Sequence, residues 1–277
     1  MGYQPRIATK TDGLLALPLP EVVRAGAGVE RGPGRAEMVE LRRRIGAALA
    51  ADAHPGGVAS TGFAALDTHL PWGGLPVAGL HEAGGLAATA FSVLLVRALL
   101  ARPGESRPVL WCQSEMSERE RGRLHGPGLA DLGLDPGRFI FVTPRREREV
   151  LWAMEEALVS GAVAVAVAEA GALGMTESRR LQLAAGRGGA TGLVLRGPES
   201  DRGASAALTR WRVDPAGAPA AGGSPLPLPG PARFDLSLWR CRGGTPGRWS
   251  LEQDAETFRF TVAAALVDRP AEAVRAG

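Results

Sequence analysis

The sequence predicts an α/β fold: a mostly parallel sheet flanked by helices, followed by a C-terminal antiparallel β extension. Three observations carry that prediction. From residue 79 onward, short and almost wholly apolar segments alternate with helix-length amphipathic ones, the pattern of parallel strands buried on both faces. Beyond residue 207 the alternation changes to single polar and apolar residues, the period of half-exposed antiparallel strands. The chain's 277 residues, 45% of them hydrophobic, supply the core of one large domain or of one domain with extensions.

The elements follow in order. Residues 1–35 are rich in Gly, Pro and polar residues and predict a flexible or partner-dependent N-terminal arm. Residues 36–50 place Met38, Leu41, Ile45 and Leu49 on one helical stripe, with the basic run Arg42, Arg43 and Arg44 mostly outside it. A short strand is expected at Gly79–Ala83 and an apolar helix at 86–101, then strands at 108–114 and 139–143. The next helix, 146–161, turns Val150, Leu151, Met154 and Leu158 inward. A strand at 162–170 ends at Glu169, Thr176 is expected to cap a helix through Ala185, and 191–196 forms a further strand. After a strand at 207–213, residues 214–232 read as a Pro/Gly/Ala-rich linker or loop. Strands at 234–242, 248–253 and 256–262 make residues 233–265 an antiparallel extension of the same domain, and 266–277 read as a disordered tail. The core of this organisation spans 36–213.

Composition narrows the functions. A formal net charge of +3 is mildly basic and does not by itself imply nucleic acid. Lys10 is the only lysine, a preference for arginine that fits coding bias. Cys112 and Cys241 lie inside expected strands and read as small buried apolar residues. His54, His69, His81 and His125 share no ligand-like spacing with them, so no metal site is expected. Met1–Pro20 lacks the charged start and apolar run of a signal peptide. The longest apolar run, Leu86–Leu100, is broken by Thr89, Ser92 and Arg97 and is too short to span a bilayer, so a cytoplasmic protein with no membrane partner is expected. No Ser-His-Asp or Cys-His arrangement is suggested.

The stretch Ser60–Gly85 leads through glycine turns into the first buried strand and at once into an apolar helix, the order in which many α/β proteins cradle a phosphate. A P-loop there needs G-x-x-x-x-G-K-[ST], with its lysine on the β- and γ-phosphates. Here Gly84-Gly85 is followed by Leu86, Ala87, Ala88 and Thr89, with no lysine at hand. Arginine does not replace a compact ammonium there.

The segment STGFAALDTHLPWGGLP (60–76), with LGLDPGRFIFV and ALVSGAVAVAVAEAGAL further on, resembles the RecA superfamily, and WRCRGGTPGRWSLEQDAETFRF at the end resembles the ImuA family within it. The resemblance covers about residues 36–262 and rests on order and spacing. It implies a RecA-like core. It also implies that Glu115 falls where RecA-type ATPases place the glutamate that orients the attacking water, and Glu169 where the Walker B aspartate helps to hold magnesium. After strand 191–196, where RecA carries a sensor glutamine, this chain has Arg196-Gly197-Pro198. Two acids without a charged phosphate cradle do not support phosphoryl transfer. Gly84, Gly85, Thr89, Glu115 and Glu169 therefore read as a vestigial nucleotide site, with the two glutamates paired to neighbouring arginines, and no catalytic residue, cofactor or metal is expected. Asp67 reads as a turn or cap residue, and Trp111 and Trp152 as core packing.

What the resemblance implies for function is a non-catalytic, RecA-like, SulA-related adaptor in SOS-induced error-prone translesion DNA synthesis. Its partners would be an ImuB-like Y-family homologue, RecA and an error-prone C-family DNA polymerase, with DNA contacted through them. The expected partner or DNA contacts are Arg42, Arg43 and Arg44 on the N-terminal helix and Arg240, Arg242, Arg248 and Trp249 in the β-rich tail. There, Trp inward and Arg outward is the ordinary amphipathic alternative. Two other readings stand beside it. One is a divergent DNA-dependent ATPase binding ATP and Mg through Gly84, Gly85 and Thr89; the other is a SulA-like cell-division inhibitor, against which SulA-type chains are much shorter.

Overall fold

The central parallel strands are buried on both faces because helices cover both sides of one sheet. The computed structural model describes residues 56–171, 173–197, 203–216, 232–254 and 259–265. The expected arm, the helix at 36–50 with Arg42, Arg43 and Arg44, residues 217–231 of the expected linker and the tail 266–277 lie outside the described residues.

The chain opens with a small antiparallel pair, β1 (Val58–Ala59) and β2 (Leu75–Pro76), separated by helix α1 (Ala64–His69). The αβ series is β3 (Leu80–Gly84), α2 (Ala88–Leu100), β4 (Val109–Cys112), α3 (Glu115–Arg121), α4 (Gly126–Asp131), a 3-10 turn at Pro136–Arg138 and β5 (Phe139–Val142). It continues with α5 (Glu147–Ser160), β6 (Val165–Glu169), α6 (Met175–Gly188), β7 (Thr191–Arg196) and β8 (Thr209–Pro215). The last strands are β9 (Arg233–Cys241), β10 (Gly247–Gln253) and β11 (Phe260–Ala265).

One nine-stranded sheet holds all but the first two strands, in the order β11-β10-β9-β8-β3-β7-β6-β4-β5. Pairing is parallel from β8 through β5 and antiparallel from β8 out to β11. The tail is thus a continuation of the core sheet. Alternation sorts the side chains. Val109, Trp111, Val165, Val167, Leu193 and Leu195 pack with α2, whereas Leu110, Cys112, Ala166, Ala168 and Val194 pack with α5 and α6. Leu236, Leu238, Cys241, Trp249 and Leu251 extend the α2-side core under the antiparallel strands.

Several sequence expectations change in detail. Trp111 is fully buried, but Trp152 is 62% exposed. The inward stripe of α5 is Val150, Met154 and Leu158, and Trp152 lies two residues from it, on the far side of a 3.6-residue turn. Helix α6 starts one residue before Thr176: Gly174 is its N-cap, and its carbonyl accepts the Ser178 amide at 3.0 Å. Strand β8 runs on to Pro215, because Asp214 and Pro215 still pair with Asp235 and Phe234 across the sheet. The final strand starts at Phe260, four residues after the expected position. Cys112 and Cys241 are buried free thiols, and burial pushes each pKa up to about 12.

Candidate functional site

The residues expected to form a nucleotide site gather along the carboxyl ends of the parallel strands, where open α/β sheets bind ligands. Strand β3 ends at Gly84, flanked in register by Arg196 of β7 and Arg212 of β8. Gly85 turns the chain with φ of +102°, and a Cβ there would overlap the Val213 carbonyl oxygen, so only glycine fits. The turn then closes on β8. The Leu86 amide donates to Asp214 Oδ1 at 3.1 Å, the Ala87 amide to Val213 O at 3.0 Å and the Ala88 amide to Gly85 O at 3.3 Å. Asp214 Oδ2 in turn accepts Arg212 Nε at 2.6 Å. Burial raises the Asp214 pKa, but the Arg212 hydrogen bond and the Leu86 amide outweigh it and hold the carboxyl below its usual range. Thr89, in the first turn of α2, is half-buried.

Glu169 is almost wholly buried at the end of β6 and is surrounded by donors. Ser117 Oγ reaches Oε2 at 2.7 Å, Trp111 Nε1 reaches Oε1 at 3.3 Å, and Arg121 Nη1 lies 3.5 Å from Oε2. Ser117 and Arg121 both lie on α3, the helix that Glu115 opens. The Glu115 carboxylate itself turns to Arg119 at 3.7 Å and Arg145 at 3.8 Å. Glu115 lies on α3 and Glu169 is held by Ser117 and Arg121 of that helix, but the two carboxylates have no common partner among the described residues.

The residue that sequence reasoning passed over is Glu82. It stands in the middle of β3, 2% exposed, with Arg210 Nε at 2.9 Å and Arg196 Nη1 at 3.3 Å, and it accepts a further bond from Ser205 Oγ. A charged residue between His81 and Ala83 in an otherwise apolar strand is the signal that marks it. Arg196, at the sensor position, is thereby a partner of Glu82, and its Nε has no hydrogen-bond partner among the described residues. His81 is also buried: its Nε2 faces Pro76 O at 2.9 Å and its Nδ1 the Thr209 hydroxyl at 2.8 Å. Asp67 ties the opening motif together, accepting from Ser60 Oγ at 2.6 Å, Thr61 Oγ1 at 2.6 Å and the Thr61 amide at 2.8 Å.

In the antiparallel part, Arg240, Arg242 and Arg248 are exposed. Trp249 points inward: it is 4% exposed and packs edge-on against His69 at 4.9 Å and near Trp211 at 6.2 Å. Its ring is core packing and not surface.

No family model matches the chain. Among curated proteins, it is 39% identical over 246 residues to Protein ImuA of Caulobacter vibrioides strain NA1000 / CB15N, a match covering 80% of this chain and 96% of that protein. Protein ImuA of strain ATCC 19089 / CIP 103742 / CB 15 matches with the same figures. The chain belongs to the ImuA family. In this ImuA-family chain, the turn after β3 binds its own β8. No helix among the described residues is long and apolar enough to cross a membrane.

Proposed function

We propose that this chain is a non-catalytic, RecA-like adaptor in SOS-induced error-prone translesion DNA synthesis, acting in the cytoplasm with an ImuB-like protein, RecA and an error-prone C-family DNA polymerase. Membership of the ImuA family supports a part in damage-induced mutagenesis. The observation that carries the non-catalytic half is the closure of the Gly84–Ala88 turn. A bound triphosphate would have to displace Asp214 from the Leu86 amide and Val213 from the Ala87 amide, and its charge would find no lysine. The residues present do not fit ATP, and no step of phosphoryl transfer is assigned to them.

With the phosphate position closed, the same architecture serves as a rigid platform. The buried carboxylates Glu169 and Glu82 act as cross-links: one joins β6 to α3, the other joins β3 to β7 and β8. The segments proposed to meet partners are residues 36–50, expected from the sequence alone to be helical, and the arginine-bearing face of the antiparallel strands. The test is co-purification of the full chain with the ImuB-like protein and with RecA from the same organism. Retention of either, weakened by replacing Leu41 and Ile45 with Asp, is expected. Failure of both to co-purify with the intact chain contradicts the adaptor role.

A further inference from the structure

Arg240 and Arg242 stand at the end of β9, and each guanidinium is anchored on a main-chain carbonyl. Arg240 Nη1 donates to Ser205 O at 2.8 Å and Arg242 Nη2 to Ala206 O at 2.9 Å. Those carbonyls belong to consecutive residues, so two fixed positive charges are held side by side. Burial first, and then repulsion from Arg240, lowers the Arg242 pKa. Other arginines meet acids: Arg107 with Glu105, Arg180 with Glu155, Arg233 with Glu252, Arg196 and Arg210 with Glu82, and Arg212, on the same face, with Asp214. Among the described residues, no carboxylate pairs with Arg240, Arg242 or Arg248.

A β-bulge gathers these charges on one face. Arg210 pairs with Arg240 and Trp211 with Leu238, leaving Trp239 as the extra residue of β9. Leu236, Leu238 and Cys241 fill the α2-side core, whereas Trp239 is half-buried with the Arg212 guanidinium 5.7 Å over its ring. Arg212, Ser237 and Arg248 form one cross-strand row beside it. The result is a sheet face carrying Arg212, Trp239, Arg240, Arg242 and Arg248.

We infer that this face binds the phosphate backbone of single-stranded nucleic acid. An uncompensated pair of like charges is relieved by an anion placed between them, and a guanidinium fork matches phosphate oxygens. An aromatic ring set among arginines is the pattern that accepts an unpaired base, which a duplex keeps stacked away. The row beside it holds Ser237, and the next row sets Ser250 opposite Asp235, itself opposite Asp214, so neither row gives an acidic protein segment apolar surface to anchor on. The adaptor reading offers this same face to partners, but co-purification is read without nucleic acid, so failure of oligonucleotide binding would leave the co-purification result as it stands.

Fluorescence anisotropy of a labelled oligothymidine, titrated with the full chain at several salt concentrations, tests it. Saturable binding at low salt is expected, with a log–log salt slope of about −2 if three arginines each meet a phosphate. Arg240→Ala with Arg242→Ala should weaken binding about tenfold or more and reduce the slope by about 1.4. Arg248→Ala, which removes no side-chain hydrogen bond among the described residues, should weaken it several-fold even if the double variant melts early. Arg187→Ala, on the last turn of α6, should change nothing. Absence of saturable binding at low salt would overturn the inference. So would unchanged binding by the Arg248 and Arg240/Arg242 variants, or displacement of the oligonucleotide by polyglutamate at equal charge concentration, which would assign the face to an acidic protein.

Discussion

The amide of Leu86 donates to Oδ1 of Asp214 at 3.1 Å, joining the first turn after β3 to the end of β8, 128 residues later in the chain. A carboxylate of the protein thus sits at the head of α2, where related architectures place a ligand's phosphate. The first prediction concerns this bond. Asp214→Ala should destabilise the chain by about 1 kcal/mol, the usual loss for a side chain satisfying amides at a helix start. The Asp214 carboxyl titrates lower in the folded chain than its ordinary 3.8. Its contribution is therefore complete above that value and disappears as pH falls through the folded one. Urea midpoints of wild type and variant should differ at pH 7 and converge in strong acid.

Glu82 is the second. Replacing it by Gln removes the buried carboxylate that both the Arg196 and Arg210 guanidiniums meet. Breaking such a cluster by removing one partner costs about 3–5 kcal/mol. The loss should appear as a large drop in the denaturant midpoint, whereas Glu115→Gln, on an exposed helix start, should shift it by less than about 1 kcal/mol.

The thiols give a third. With both pKa values pushed up to about 12 from 9.0, Cys112 and Cys241 should resist a thiol reagent at pH 8 until the chain unfolds. In alkali the unfolded thiols lose their protons first, so folding stability should fall between about pH 9 and 12, by about 1.4 kcal/mol per pH unit per thiol. Cys241→Ala should flatten that decline.

The two tryptophans read alike in sequence separate in a fourth. Trp111→Ala should cost about 3–5 kcal/mol through the cavity it leaves. Trp152→Ala, on the outer face of α5, should stay within about 0.5 kcal/mol. Acrylamide quenching should fall measurably in the Trp152 variant alone.

Much of the fold is legible locally. Strand β7 occupies the expected residues 191–196, and the inward stripe of α5 follows from the 3.6-residue period. What is not legible depends on partners distant in sequence. Asp214-Pro215 looks like the start of a loop, and only pairing with Asp235 and Phe234 keeps it in the sheet. Helices α3 and α4 are seven and six residues long, too short for a periodic signal. Glu82 is visible as an anomaly in an apolar strand, but its meaning needs Arg196 and Arg210, brought beside it by β7 and β8. At the candidate site, the missing lysine is plain in the sequence; the Asp214 carboxylate held at the head of α2 is not.

The most direct measurement of the central claim is equilibrium binding and turnover of labelled ATP by the full chain, with Mg²⁺ and single-stranded DNA present. No saturable binding is expected up to about 1 mM nucleotide, the upper end of ordinary enzyme KM values, and no release of phosphate above buffer. Saturable binding with DNA-stimulated turnover, abolished by Glu115→Gln, would contradict it.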